Sequence, residues 1–163
     1  MRFCTLRALL TPLVCALAIA APAIGVEINQ PAPEIDTQLL NRKTLKAKDL
    51  RGKVVVTVFW ASWCPTCRGV LPELQKFYEE NNARGLEMLA LSIDENVRDA
   101  KAMIKAKGVL FPAGMRSDAW YEQYGRVSGT PTWYITDRQG VIRHRVVGPL
   151  GMEKLGELIR PLM

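Results

Sequence analysis

The sequence contains one histidine and only four cysteines among its 163 residues. Cys4 and Cys15 lie in a hydrophobic N-terminal stretch, so the rest of the chain holds only Cys64 and Cys67. A structural zinc site needs four ligands, most often histidine and cysteine side chains. The only histidine, His144, lies in a predicted late strand among charged neighbours, so there is no second pair of ligands. We therefore predict no metal site.

Other patterns are also missing from the chain. We find no repeat at the periods of solenoids or propellers and no glycine-rich phosphate-binding loop. The formal net charge is +6, but the basic residues are scattered and many alternate with acids, as in residues 98–101. Proteins that bind nucleic acid usually concentrate their charge on one face or in one run. We therefore expect neither an organic cofactor nor a nucleic-acid partner.

Residues 1–25 have the pattern of a targeting segment. Arg2 and Arg7 precede an apolar stretch, which two A-x-A sequences follow. This order is typical of a secretory signal peptide. The apolar run after Pro12 is shorter than the roughly 20 residues that a membrane span needs, so we expect cleavage, with an uncleaved anchor as the alternative. Residues 26–163 are then a single predicted domain.

The rest of the chain predicts an α/β fold. Residues 54–60 are a continuous, largely β-branched apolar run, typical of a strand buried on both faces. A strand, a helix and a second strand in succession favour a right-handed crossover with parallel pairing, and a late hairpin adds antiparallel strands. We predict a mixed central sheet flanked by helices on both faces, with an N-terminal β-hairpin extension. The predicted elements are a hairpin over 34–45, a turn over 49–52, strands over 54–60, 86–93, 132–136 and 141–147, and helices over 65–85 (kinked at Pro72), 97–107, 118–124 and 152–162.

Cys64 and Cys67 are separated by two residues, where the first buried strand is predicted to turn into the first long helix. A C-x-x-C pair can close a disulfide with little backbone movement. At a helix N-terminus, unpaired N–H groups and the positive end of the dipole favour the thiolate, which is the nucleophile. The second cysteine, one turn into the helix, can attack a mixed disulfide from within. We predict Cys64 as the attacking thiol, Cys67 as the resolving thiol, and their redox-active disulfide in place of a cofactor.

Residues 54–72 resemble the active-site segment of the thioredoxin superfamily, including the tryptophan before the first cysteine. Residues 129–132 resemble that family's cis-proline loop. The resemblance implies a thioredoxin-like fold, a cis bond before Pro131 and a loop that lies beside the dithiol. It also implies that substrate chains bind around Cys64, where apolar groups and backbone pairing can hold an extended peptide. The residues expected to contact substrate are Trp63, Pro65, Thr66, Thr130 and Pro131.

Within the superfamily, the chain is most similar to the secreted TlpA, ResA and DsbE group. Residues 32–53 resemble the N-terminal extension of that group, and residues 100–111 fit its central insert. Cys-Pro-Thr-Cys is similar to the form common in DsbE proteins. The chain departs from its relatives at three positions where they carry an acid that manages protons on the resolving thiol. These positions are Val58, Val70 and Thr132.

The resemblance implies a periplasmic reductase that exchanges disulfides with protein substrates, such as apocytochromes or copper-assembly proteins. It also implies a membrane-bound donor that supplies the reductase with electrons. The uncleaved alternative is a protein anchored to the inner membrane. A strongly lowered pKa of Cys64 would instead make the disulfide oxidising, so an oxidant or isomerase is the alternative function. A copper chaperone would need a longer cysteine spacing and a histidine. A thiol peroxidase would need a lone cysteine and a threonine at position 61, which is alanine.

Overall fold

A computed structural model describes residues 25–163 of the chain. The predicted signal peptide or anchor therefore lies outside the described residues, apart from its last residue. The strands are β1 (Thr37–Gln38), β2 (Thr44–Leu45), β3 (Val54–Trp60), β4 (Leu86–Ser92), β5 (Ala113–Met115), β6 (Thr132–Thr136) and β7 (Ile142–Val147). The helices are α1 (Pro65–Asn81), α2 (Val97–Ala106), α3 (Asp118–Tyr124) and α4 (Met152–Ile159), with 3₁₀ segments over Ala47–Leu50, Asn82–Arg84 and Arg160–Leu162.

Five of these strands form one mixed sheet in the order β5-β4-β3-β6-β7. Strand β3 lies at its centre, parallel to β4 and antiparallel to β6. All seven residues of β3 and of β4 are buried, as the largely apolar sequences of both strands predict. Strands β1 and β2 form a separate antiparallel hairpin. The predicted fold class, a thioredoxin-like mixed sheet with an N-terminal hairpin, is confirmed.

Alternate residues of β3 enter two hydrophobic clusters, because successive strand side chains point to opposite faces of a sheet. On one face, Val56, Val58 and Trp60 pack with apolar residues of α1 and α4. On the other face, Phe59 packs in an aromatic cluster with Trp120, Tyr124 and Tyr134. The cysteines belong to the first cluster, so the site is built on the α1 face of the sheet.

Several features of the fold differ from the prediction; helix α4, for example, ends at Ile159 and a 3₁₀ segment follows it. Strand β5 was not predicted, because three residues are too few to display a strand pattern; it forms by pairing with β4, and the Leu40 N–H donates to the Ala113 carbonyl. Helix α1 ends at Asn81, earlier than predicted, and a 3₁₀ turn carries the chain to Gly85. Gly85 has a φ of +95°, a left-handed conformation that favours glycine and turns the chain into β4. Within residues 25–163, no helix is both long and apolar enough to cross a membrane.

Candidate active site

The candidate site is built where the central strand meets the N-terminus of the longest helix. Strand β3 ends at Trp60, and α1 begins at Pro65. Cys64 is the N-cap residue of α1, and its sulfur accepts a hydrogen bond of 3.3 Å from the backbone N–H of Cys67. Pro65 takes the first helical position, where its missing N–H would have no intrahelical partner. The start of the helix therefore directs a donor at the sulfur of Cys64.

Cys64 is a free thiol with a side chain that is almost fully buried. Burial alone would raise its pKa, because it penalises the charged thiolate. Hydrogen bonds from the side chains of Cys67 and Thr130 and from the backbone of Cys67 and Thr66 outweigh burial and lower the pKa of Cys64. The site therefore favours the thiolate at this sulfur.

Cys67 has the opposite character. Its side chain is completely buried, one helical turn below Cys64. Burial, reinforced by the hydrogen bond and the charge of Cys64, raises the pKa of Cys67 to about 12. The inner sulfur therefore keeps its proton until strongly alkaline pH, and the outer sulfur is the one that ionises first. This is the division of labour that the sequence predicts for an attacking and a resolving thiol.

The loop before β6 reaches the dithiol from a distant part of the chain. The Thr130–Pro131 bond is cis, as predicted. The carbonyl oxygen of Thr130 accepts a hydrogen bond of 3.4 Å from the Cys64 thiol. Pro131 is buried, and its carbonyl accepts from the N–H of Gly148 at 2.8 Å, which ties the loop to the end of β7. The loop therefore lies beside the dithiol, as expected.

The predicted substrate-contacting residues differ in exposure. Trp63 is 63% exposed although it is a large aromatic residue, and Pro65 and Thr66 are also exposed at the start of α1. Val147, which was not predicted, is exposed opposite Thr132, the residue that follows the cis-proline. The surroundings of Cys64 thus present apolar groups to solvent, which suits peptide docking. The substrate contacts themselves stay a prediction.

The positions where relatives carry an acid are apolar or neutral here and buried. Val58 and Val70 belong to the hydrophobic cluster that contains both cysteines. The hydroxyl of Thr132 donates to the carbonyl of Gly129 at 2.6 Å, so it closes the cis-proline loop on itself. Within residues 25–163, no group of three His, Cys, Asp or Glu side chains is placed to hold a metal ion.

Sequence reasoning missed Asp94, which is buried just beyond β4. Its carboxylate accepts hydrogen bonds from the N–H and the hydroxyl of Ser62, two residues before Cys64, and from the hydroxyl of Ser92. One signal could have found it. Strands β3 and β4 are parallel, so their carboxyl ends meet at one edge of the sheet, and Asp94 follows one end as Ser62 follows the other.

The fold and the paired cysteines define the class of protein: a thioredoxin-fold thiol–disulfide oxidoreductase. The profile of the AhpC/TSA family matches residues 28–145, and the chain belongs to this family. The chain is 29% identical over 131 residues to the thiol-disulfide oxidoreductase ResA of Bacillus thuringiensis (strain Al Hakam), covering 80% of this chain and 75% of that protein. It is 26% identical to the sporulation thiol-disulfide oxidoreductase A of Bacillus subtilis (strain 168), over 93% of this chain and 96% of that one.

A solved structure supports the fold. The crystal structure of a thiol:disulfide interchange protein of the thioredoxin family from Chlorobium tepidum TLS matches with a TM-score of 0.77. The match covers 85% of this chain and 99% of that one, at 22% identity. At this identity the likeness shows the fold alone. The predicted resemblance to the thioredoxin superfamily is confirmed.

Proposed function

We propose that the protein is a periplasmic reductase that exchanges disulfides with protein substrates through Cys64 and Cys67. The observation that carries the proposal is the asymmetry of the pair. Cys64 caps α1 with a lowered pKa, whereas Cys67 is buried with a pKa of about 12. The dithiol is itself the redox group, so the reaction needs no organic cofactor.

The reaction proceeds in two thiol–disulfide exchanges. The Cys64 thiolate attacks one sulfur of a substrate disulfide; a mixed disulfide forms, and the other substrate sulfur leaves as a thiolate. Cys67 then loses its proton and attacks the Cys64 sulfur, which closes the Cys64–Cys67 disulfide and releases the second substrate thiolate. The substrate gains two electrons and the dithiol loses two. A membrane-bound dithiol donor must then reduce the Cys64–Cys67 disulfide.

The groups that stabilise the Cys64 thiolate bear on the direction of electron flow. A dithiol whose reduced form is strongly stabilised has an oxidising disulfide. The groups that lower the pKa of Cys64 are hydrogen-bond donors, and none of them is a cation. Pro65 and Thr66, between the cysteines, are also neutral. A thiolate stabilised by neutral donors, with no cation among them, supports a reductase more than an oxidant.

An oxidant or isomerase is the second candidate, because Thr130 before the cis-proline resembles relatives of that kind and helps to stabilise the Cys64 thiolate. The relatives named thiol-disulfide oxidoreductase ResA support the exchange reaction, and reduction is what the resemblance to the TlpA, ResA and DsbE group implies. Apocytochromes and copper-assembly proteins are the substrates we propose. The pattern of residues 1–25 supports export to the periplasm, with cleavage or with anchoring in the inner membrane as the two forms.

The equilibrium reduction potential of the Cys64–Cys67 pair, titrated against glutathione, tests the proposal. A potential near about −270 mV, the value for thioredoxin, would support the reductase. A potential near about −120 mV, the value for a strong oxidant, would replace it with disulfide formation. Failure of the two cysteines to form a disulfide at any ratio of glutathione would remove the exchange function altogether.

A further inference from the structure

We propose that Asp94 is a positioning residue for the dithiol, and that it acts on Cys64 through the peptide unit between Ala61 and Ser62. The proposal deepens the proposed function, since it concerns the residue that sets the geometry of the attacking thiol. Asp94 is 8% exposed and lies on a different element from the cysteines. None of the ion pairs formed within residues 25–163 includes it.

The Ala61–Ser62 peptide unit is held at both ends. Its N–H, on Ser62, donates to both oxygens of the Asp94 carboxylate at 3.1 and 3.0 Å. Its carbonyl, on Ala61, accepts from the N–H of Cys64 at 3.2 Å. A carboxylate on the N–H polarises the same amide and strengthens its carbonyl as an acceptor. Asp94 is therefore linked to the backbone of Cys64 by two consecutive hydrogen bonds.

The neighbouring peptide units are fixed as well. The carbonyl of Ser62 accepts from Nε of Arg68 at 2.9 Å. The carbonyl of Trp60 accepts from the N–H of Ile93 at 2.9 Å. The turn from β3 to α1 thus makes a hydrogen bond at each successive peptide unit, and Asp94 supplies the only anionic acceptor among these contacts.

Asp94 is itself held firmly. Its Oδ2 accepts from the hydroxyl of Ser92 at 2.6 Å, and its own N–H donates to the same hydroxyl at 3.0 Å. The hydroxyl of Ser62 donates to Oδ1 at 2.8 Å. A carboxylate that is nine-tenths buried needs such donors, because burial without partners is costly. The hydroxyl donors hold the Asp94 carboxylate in place. The carboxylate then holds the loop between β3 and α1, and that loop places the Cys64 sulfur at the N–H groups of α1.

The test compares the reactivity of Cys64 in the full-length reduced protein and in its variants, using iodoacetamide alkylation and the ultraviolet absorbance of the thiolate across pH. Asp94→Ala removes the anchor, and we expect the thiolate fraction of Cys64 at neutral pH to fall about tenfold, which is one pKa unit. Asp94→Asn keeps one neutral acceptor for the Ser62 N–H but loses the charge that polarises the amide, and we expect a fall smaller than that of Asp94→Ala. Ser62→Ala loses only the hydroxyl bond, and we expect a fall of about twofold.

Asp137→Ala is the matched control. Asp137 is a buried carboxylate that accepts from backbone N–H groups of another turn. This control should lose stability while its Cys64 titration stays as in wild type. If Asp94→Ala lowers the melting temperature and leaves the Cys64 titration unchanged, the role is merely structural and the proposal is wrong. If Asp94→Asn and Asp94→Ala both increase the thiolate fraction, the charge acts directly on Cys64 and the proposed route is wrong.

Asp94→Asn carries the test should Asp94→Ala fail to fold, because it removes the carboxylate from the Ser62 N–H with little change of shape. A thiolate fraction of Cys64 that is unchanged or increased in Asp94→Asn then contradicts the proposal. The readout does not depend on turnover, because alkylation and absorbance report the thiol itself. Failure of the proposed function would appear in the wild type as the absence of a Cys64–Cys67 disulfide, whereas failure of this inference appears only in the variants.

Discussion

Two turns at opposite ends of the central sheet are held by a buried aspartate, and they differ in how the charge is partnered. Asp94 holds the turn after β3 through Ser62 and Ser92. Asp137 holds the turn after β6 through backbone N–H groups, and it also forms an ion pair with Arg143. The comparison shows that a buried carboxylate can hold a turn without a paired cation. At the end that carries the sulfurs, the anchor is made of hydroxyl and amide donors alone.

The largest expected effect comes from replacing the attacking thiol at the dithiol end of the sheet. Cys64→Ser should abolish reduction of insulin disulfides, because a hydroxyl neither ionises near neutral pH nor attacks a disulfide. Cys67→Ser is the matched variant: the first exchange still occurs, and the mixed disulfide with Cys64 accumulates. Mass spectrometry of the trapped adduct checks this. Retained insulin reduction in Cys64→Ser would contradict the assignment of the attacking thiol.

The pH dependence of Cys64 should be the next largest effect. The lowered pKa of Cys64 predicts that alkylation rises about tenfold for each pH unit and reaches a plateau below the ordinary cysteine range near 8.5. The pKa of Cys67, about 12, predicts no second step until strongly alkaline pH. Iodoacetamide rates on the reduced protein measure both. Cys67→Ser serves as the control that assigns the first step to Cys64, and a first step above the ordinary range would contradict the site.

At the other end of the sheet, Asp137→Ala should lower the free energy of unfolding and leave the reactivity of Cys64 unchanged. Removing the carboxylate leaves the N–H groups of Gln139 and Val141 without their acceptor, at a cost of about 2 kcal/mol. Burial acts to raise the pKa of Asp137, but hydrogen bonds from Val141 and Arg143 outweigh it and lower the pKa.

The sign of the pH effect at Asp137 follows. A carboxylate with a lowered pKa in the folded state contributes stability above its unfolded pKa, and the contribution is lost as pH falls through the folded pKa. Urea unfolding should therefore separate wild type from Asp137→Ala at neutral pH, with the difference shrinking in acid. An equal difference at both pH values would show that the charged form of Asp137 contributes nothing.

The smallest predicted effect concerns the exposed aromatic beside Cys64. Trp63→Ala should raise the KM for a protein disulfide several-fold, whereas the rate with a small disulfide reagent stays unchanged. Its stability should stay within about 0.5 kcal/mol of wild type, because the side chain lies on the surface. Leu110→Ala is the control, because Leu110 is also an exposed apolar residue, at 81% exposure. Its N–H donates to the side chain of Gln75, which lies in the second half of α1, away from Cys64. Equal effects of the two substitutions would contradict a role for Trp63 in docking.

Elements with a strong local pattern were predicted to the residue. Strands β3 and β6 and helix α3 have the predicted bounds, since a β-branched run or a helical spacing is a property of neighbouring residues. Strand β5 could not be found in this way, because it exists only through its pairing with β4 and the hairpin. The hairpin strands are also shorter than residues 34–45 suggested.

The same contrast applies to the site. Cys64, Cys67 and the cis-proline carry motifs, so they can be identified from the sequence alone. Asp94 carries no motif; a lone aspartate after a strand is usually a surface or turn residue. Its hydrogen bonds come from two serines brought to it by the parallel pairing of β3 and β4, which joins residues distant in the chain. The lowered pKa of Cys64 likewise depends on a hydrogen bond from the side chain of Thr130, sixty-six positions away in the chain.

The separation of the two thiol pKa values also decides how many protons accompany each electron pair. Between the lowered pKa of Cys64 and about 12 for Cys67, reduction of the disulfide takes up two electrons and one proton. The midpoint potential then falls by about 30 mV per pH unit, and by about 59 mV per pH unit once Cys64 is protonated as well. Above the pKa of Cys64, the driving force of the dithiol therefore varies only half as steeply with pH as it does below that pKa.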